Sequence, residues 1–318
     1  MADHDASGTP APRRGGRDRS WPPLPEPLPH PVVDDHTHLD HAAPGAGGFD
    51  GGADAPTLPE QVARAAAVGV TRMVQIGCDL PAARWTDAVV REQPALLGGV
   101  ALHPNEVPLH AGVREVAPDG LEPDPREHHA VPLDEAMAEI AALAAGNDRI
   151  RAVGETGLDF FRAGEAGRRV QREAFRAHIA LAKELGLVLQ IHDRDAHEDV
   201  VEVLLADGAP ERTVFHCFSG GAAMARLCVE QGWYLSFAGT VTFGGAHELR
   251  AALREVPPGL LQVETDAPYL TPHPYRGRPN APYLTAATVR RVAAELEVDL
   301  EQLCRTLWAT AEDLYGPW

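Results

Sequence analysis

The chain has 318 residues, 44% of them apolar and 23% charged, a composition that can bury a large globular core. Its 46 acidic and 28 basic side chains leave a formal charge of -18, which excludes a broad electrostatic grip on a nucleic-acid duplex. No apolar run approaches the roughly 20 residues that span a bilayer, and the four cysteines form no C-x-x-C pair, so free thiols in a reducing, cytoplasmic setting are expected.

Residues 1–31 are rich in Pro, Gly and Arg without a hydrophobic segment and read as a disordered tail, not a signal peptide. From Val32 onward, β-rich runs alternate with amphipathic helical stretches. The candidate strands are PVVDDH, VTRMVQIG, LLGGVALH, IRAVGET, LVLQIH, RTVFHCF, WYLSFAG and LLQVETD. Helical patterns such as PEQVARAAAVG and RRVQREAFRAHIALAKELG lie between them, with Gly69, Gly186 and Gly232 placed where helices should stop. This alternation predicts one (β/α)8 barrel of the TIM type over residues 32–318, since such barrels run to about 250 residues as a single unit. Two further patterns, LTAATVRRVAAELE and LEQLCRTLWATAEDLYG, are expected to complete its outside.

The polar residues at the strand ends carry the chemistry. His36 and His38 are two apart at the end of the first run, and in extended backbone such neighbours share a face. Glu155 ends the fourth run, His192 the fifth, His216 the sixth and Asp266 the eighth. All lie at C-terminal strand ends, the rim on which barrels of this kind place their active sites. Four imidazoles and two carboxylates exceed the positions of one zinc-like ion and suit two divalent ions about 3.5 to 4 Å apart. We place His36, His38 and Asp266 on one ion and His192 and His216 on the other, with Glu155 shared. Asp266 also stands as a base for a water, and Glu264 and Asp34 as acceptors behind the ligands. The ions can be zinc, manganese or magnesium.

The blocks DDHTHLD, GETGLDFFR, LQIHDRDAHEDVVEVL, VFHCFSGG and ETDAPYLTPHPYRGRPN together resemble those of the TatD-type metal-dependent deoxyribonucleases of the amidohydrolase superfamily. The resemblance implies a metal-dependent barrel that hydrolyses DNA phosphodiester bonds from a 3′ end, with His36, His38, Glu155, His192, His216 and Asp266 as its ligands and Glu155 and Asp266 in the catalytic roles. One departure is Asn105 in VALHPNEV, where the family repeats a histidine.

Substrate contacts are expected from His103, Arg162 and Arg194, and a stacking contact from Tyr269. The long stretch from Glu106 to Pro132 leaves the third strand at the rim and is either a lid or a solvated insertion with His128 and His129 exposed. The expected activity is exonucleolytic cleavage of single-stranded DNA ends by a monomer, without a membrane partner. The alternative is an ester or amide hydrolase, such as an aminoacyl-tRNA deacylase, because the same centre attacks carbonyls.

Overall fold

The β-branched runs pair in chain order into one parallel sheet. In the computed structural model, which describes residues 18–42 and 55–318, the strands are β1 (Val32–Thr37), β2 (Val70–Gly77), β3 (Leu96–Val100), β4 (Ile150–Asp159), β5 (Val188–Arg194), β6 (Thr213–Phe215), β7 (Tyr234–Phe237) and β8 (Leu261–Val263). Their order is β1 to β8, each neighbour parallel. The sheet returns on itself through a Thr37–Ala267 bridge, with the His38 N–H donating to Ala267 O at 2.8 Å and the Asp266 N–H to His36 O at 3.0 Å. The expected (β/α)8 barrel is the observed one.

The outer helices are α1 (Leu58–Ala67), α2 (Leu80–Glu92), α3 (Val107–His110), α4 (Leu133–Gly146), α5 (Glu165–Leu185), α6 (His197–Asp207), α7 (Ala222–Glu230), α8 (His247–Leu253), α9 (Thr285–Leu296) and α10 (Leu300–Tyr315). Local chemistry sets their ends. Asp79 caps α2 by accepting the Ala82 N–H at 2.7 Å, and Gly186 stops α5 in the left-handed conformation at φ 62°.

Strand residues divide between two apolar regions. Val32, Met73, Leu96, Val153, Leu189 and Ile191 face the helices, whereas Val33, Val74, Leu97, Ala152, Val188 and Val214 fill the barrel interior. That interior also receives Ala311, Leu314 and Tyr315 of α10. The final helix therefore does not merely complete the outside, as its amphipathic pattern predicted. It plugs the barrel, and the Tyr315 hydroxyl reaches Asp35 Oδ1 at 2.7 Å.

The expected disordered tail is corrected over its second half. Residues 18–31 lie along the barrel: Leu28 is buried, its N–H donates to Val68 O at 2.9 Å, and Tyr283 donates its hydroxyl to Pro22 O at 2.7 Å. Arg290 donates to Glu26 O and Pro27 O at 2.7 and 3.0 Å, so backbone carbonyls and one leucine anchor a segment with no periodic pattern. The remainder of that expectation, residues 1–17, lies outside the described residues. Among the described residues no helix is long and apolar enough to cross a membrane.

Candidate metal centre

Six residues chosen from the sequence converge at the rim. His36 is the penultimate residue of β1 and His38 follows the strand; His216 directly follows β6, and Asp266 lies three residues past β8. Glu155 lies within β4, where the pairing with β5 slips between Val153 and Thr156, an irregularity of the kind that re-aims a side chain. Its flanking glycines permit the close approach of β5. A Cβ on Gly154 would stand 2.6 Å from that of Gln190, and Gly157, at φ +138°, would bring one within 2.2 Å of His192 O.

The Glu155 carboxylate divides the cluster. Its Oε1 lies 3.8 Å from His36 Nε2 and 3.6 Å from His38 Nε2, while Oε2 lies 2.9 Å from His192 Nδ1 and 2.7 Å from His216 Nε2. Asp266 joins the first group, its Oδ1 3.3 Å from His38 Nε2. One buried carboxylate thus faces two imidazole pairs with separate oxygens.

Each ring is oriented from behind. His36 Nδ1 lies 2.6 Å from Gln190 Oε1, His38 Nδ1 3.2 Å from Ile76 O, His216 Nδ1 3.2 Å from Glu264 Oε1 and His192 Nε2 3.3 Å from Asp159 Oδ2. All four partners are acceptors, which assigns the N–H to that side of each ring and a lone pair to the side facing Glu155. Glu264 therefore has its expected place. Asp34 does not back a ligand; it accepts from the Thr265 N–H at 2.7 Å and the Thr265 hydroxyl at 2.5 Å, fixing the chain next to Asp266. Gln190 and Asp159 were not identified from the sequence. The signal available for Gln190 was its position two before His192, hence on the same strand face.

This arrangement requires positive charge at its centre. The lone pairs of His36 and His38 Nε2 confront each other at 3.2 Å, and that of His216 confronts a carboxylate oxygen. Protons satisfy part of it. Burial alone would lower the pKa of His38, but the Asp266 hydrogen bond and the Glu155 charge outweigh it and raise the value to about 9; His192, likewise buried, is raised to about 9 by Asp159 and Glu155. Burial would raise Glu155, yet the charge of His216 and the His192 and His216 hydrogen bonds hold it well below the usual carboxylate range. Imidazole nitrogens and carboxylate oxygens meeting with unshared lone pairs are a donor set suited to divalent transition ions.

His103 belongs to the cluster in a different role. Its Nε2 lies 3.8 Å from Glu155 Oε2, and the Asn105 N–H donates to its Nδ1 at 3.0 Å, which leaves the proton on Nε2. Burial lowers its pKa to about 4, so the ring is neutral and turns its N–H toward the centre. Asn105, the departure from the family pattern, donates to Asp159 Oδ2 at 3.1 Å and so supports the acceptor behind His192. Two cysteines also touch the carboxylates, Cys78 through its Sγ, 3.2 Å from Glu155 Oε1, and Cys217 through its backbone N–H, which donates to Glu264 Oε1 at 2.9 Å.

The remaining candidates are dispersed around the rim. Arg194 is exposed, its guanidinium over the Phe161 ring at 3.9 Å, and the half-exposed Tyr269 lies with its ring 6.1 Å from that of His38. Arg162 is engaged by Asp119 at 3.1 Å and lines a cavity of about 440 Å³ with Asn105, Glu106, Leu121 and Arg126. Its side chain is thus a wall of that cavity, while its backbone N–H donates at 3.0 Å to Asp159 Oδ1, the carboxylate behind His192.

Known proteins resemble the chain in sequence and in fold. A family model described as TatD related DNase matches residues 33–316. The chain is 43% identical over 289 residues to a Mycobacterium tuberculosis protein named as the metal-dependent hydrolase TatD, covering 90% of this chain and 98% of the relative. It is 34% identical to the Bacillus subtilis metal-dependent hydrolase YabD, covering 81% and 92%. Among solved structures, the TatD homolog YJJV of Escherichia coli superposes with a TM-score of 0.71 at 22% identity, covering 90% of this chain and 98% of that one. A TatD family hydrolase of Entamoeba histolytica gives 0.72 at 16%, covering 92% and 100%; both likenesses concern the fold.

Proposed function

The chain belongs to the TatD family of metal-dependent hydrolases, and from that premise we propose that it cleaves phosphodiester bonds at single-stranded DNA ends, working from the 3′ terminus. The observation that carries this reading is the Glu155 carboxylate, which offers one oxygen to His36 and His38 and the other to His192 and His216. Two divalent ions held by these residues and Asp266 would offset the charge on a phosphate and lower the pKa of a bound water.

The chain's own groups supply the rest. Gln190, the Ile76 carbonyl, Glu264 and Asp159 fix the rings, so ligand geometry does not have to be rearranged when a phosphate arrives. In this reading Asp266, 3.3 Å from His38, accepts the proton of the attacking water. His103 presents its Nε2–H toward a phosphate oxygen. Tyr269 offers a ring face to the terminal base, and Arg194 a guanidinium to the next phosphate.

A recessed cluster on a chain of charge -18 favours an end over a duplex, because affinity must come from a few phosphates near the centre. The test compares linear and covalently circular single-stranded DNA of one sequence, with manganese restored after chelation, and includes Glu155→Ala. Linear DNA should shorten from its 3′ end, the circle should survive, and the variant should be inactive on both. Equal loss of the circle would replace end cleavage with internal cleavage. Inertness toward both DNAs with turnover of aminoacyl-tRNA or a small ester would transfer the site to carbonyl chemistry.

A further inference from the structure

The insertion between β3 and α4 gathers a second set of metal-ligating side chains that the barrel centre does not use. Glu106 precedes α3, His110 ends it, and His128 and His129 lie on the short helical turn Glu127–Ala130. One ligand atom from each of the four lies within 4.8 Å of the others. The solvated alternative for this segment expected exposed histidines; instead His110 and His129 are buried and His128 is half-buried.

Hydrogen bonds assign the roles. His110 donates its Nδ1–H to Val131 O at 2.8 Å, so its Nε2 bears a lone pair, and that atom is buried without any hydrogen-bond partner. A ring that is 5% exposed, with an orphaned acceptor among other ligand-type groups, is an anomaly in a protein interior and a normal feature of a metal ligand. His128 Nε2 lies 2.9 Å from Glu106 Oε2. His129 differs: its Nδ1 accepts the Arg126 N–H at 2.7 Å, which places its proton on Nε2, directed at the same Glu106 oxygen at 2.7 Å. It positions the carboxylate and has no lone pair left for an ion.

We propose that Glu106, His110 and His128 form a second metal site, separate from the barrel centre, that binds zinc and clips the insertion to the rim. Two imidazoles with one carboxylate favour zinc over magnesium or calcium, and three protein ligands leave a fourth position for water. Glu106 stands at the start of the insertion and His128 near its end, so one ion closes the loop between them, the case in which a cross-link removes the most chain freedom. The segment so closed contributes Glu106, Leu121 and Arg126 to the 440 Å³ cavity beside Asn105. The ion thereby fixes a wall next to the catalytic cluster without entering it.

The experiment counts zinc per chain after saturation and desalting in the full-length protein, in His128→Ala and in Glu106→Gln, and maps protease cleavage within residues 111–126. Each variant should hold one equivalent fewer than the parent while still melting cooperatively. Zinc at ten times its dissociation constant should slow cleavage of the segment about tenfold in the parent and leave it unchanged in His128→Ala. Equal zinc content in parent and both variants would overturn the site. So would a parent whose segment is cut at the same rate with zinc and with chelator, a result independent of whether either variant folds.

Discussion

His178 on α5 stands behind the strand that carries Glu155, with no contact to the substrate side. Its Nδ1 lies 2.7 Å from the Thr156 hydroxyl, and the Leu102 N–H donates to its Nε2 at 3.4 Å, so a neutral ring ties the end of β3 to β4. Burial lowers its pKa to about 4. Between about pH 6.5 and 4 the unfolded chain takes up a proton there that the folded protein refuses, so stability is full above 6.5 and falls as pH drops through that window. The loss attributable to this ring is on the order of 3 kcal/mol. Denaturant unfolding at about pH 7 and about pH 4.5 should show a larger drop for the parent than for His178→Gln. Equal drops would mean that the ring does not stay neutral in the fold. Residues of this supporting kind were the least legible in the sequence. His36, His38, Glu155, His192, His216 and Asp266 stood out because ligand-type side chains recur at strand ends, whereas Gln190, Asp159 and His178 are recognisable only through the partners that satisfy them.

At the scale of elements, the strands were legible because both faces of a parallel barrel strand are buried, which writes a run of β-branched residues into the sequence. What the elements pack against was not. The amphipathic pattern of α10 shows that one face is covered, not that Leu314 and Tyr315 enter the barrel. The segment from Asp18 to Pro31 has no period, and it docks through Leu28, the flank of Trp21 and carbonyls that arginines reach. Leu28 lies against Gly69, where an added Cβ would come within 3.1 Å of its own. Removing this side chain should leave a void that the helix C-terminus cannot fill. We expect Leu28→Ala to lower stability by about 2 to 3 kcal/mol, visible as a lower denaturant midpoint at unchanged slope. An unchanged midpoint would return the segment to the status of a loosely attached tail.

For the whole molecule, an acidic surface and a nuclease reading are compatible because the charge that meets DNA is local. A chain carrying -18 overall concentrates four imidazoles around Glu155 at one end of a closed barrel, so a phosphate is attracted only where ions are held. The same barrel supports hydrolases of other esters, and the proposal for this one rests on the Glu155 carboxylate facing two imidazole pairs at the rim. That geometry is most directly tested by anomalous diffraction from crystals soaked in manganese. We predict two peaks about 3.5 to 4 Å apart on either side of the Glu155 carboxylate, one against His36, His38 and Asp266 and the other against His192 and His216. A single peak, or two peaks that do not share Glu155, would contradict the account.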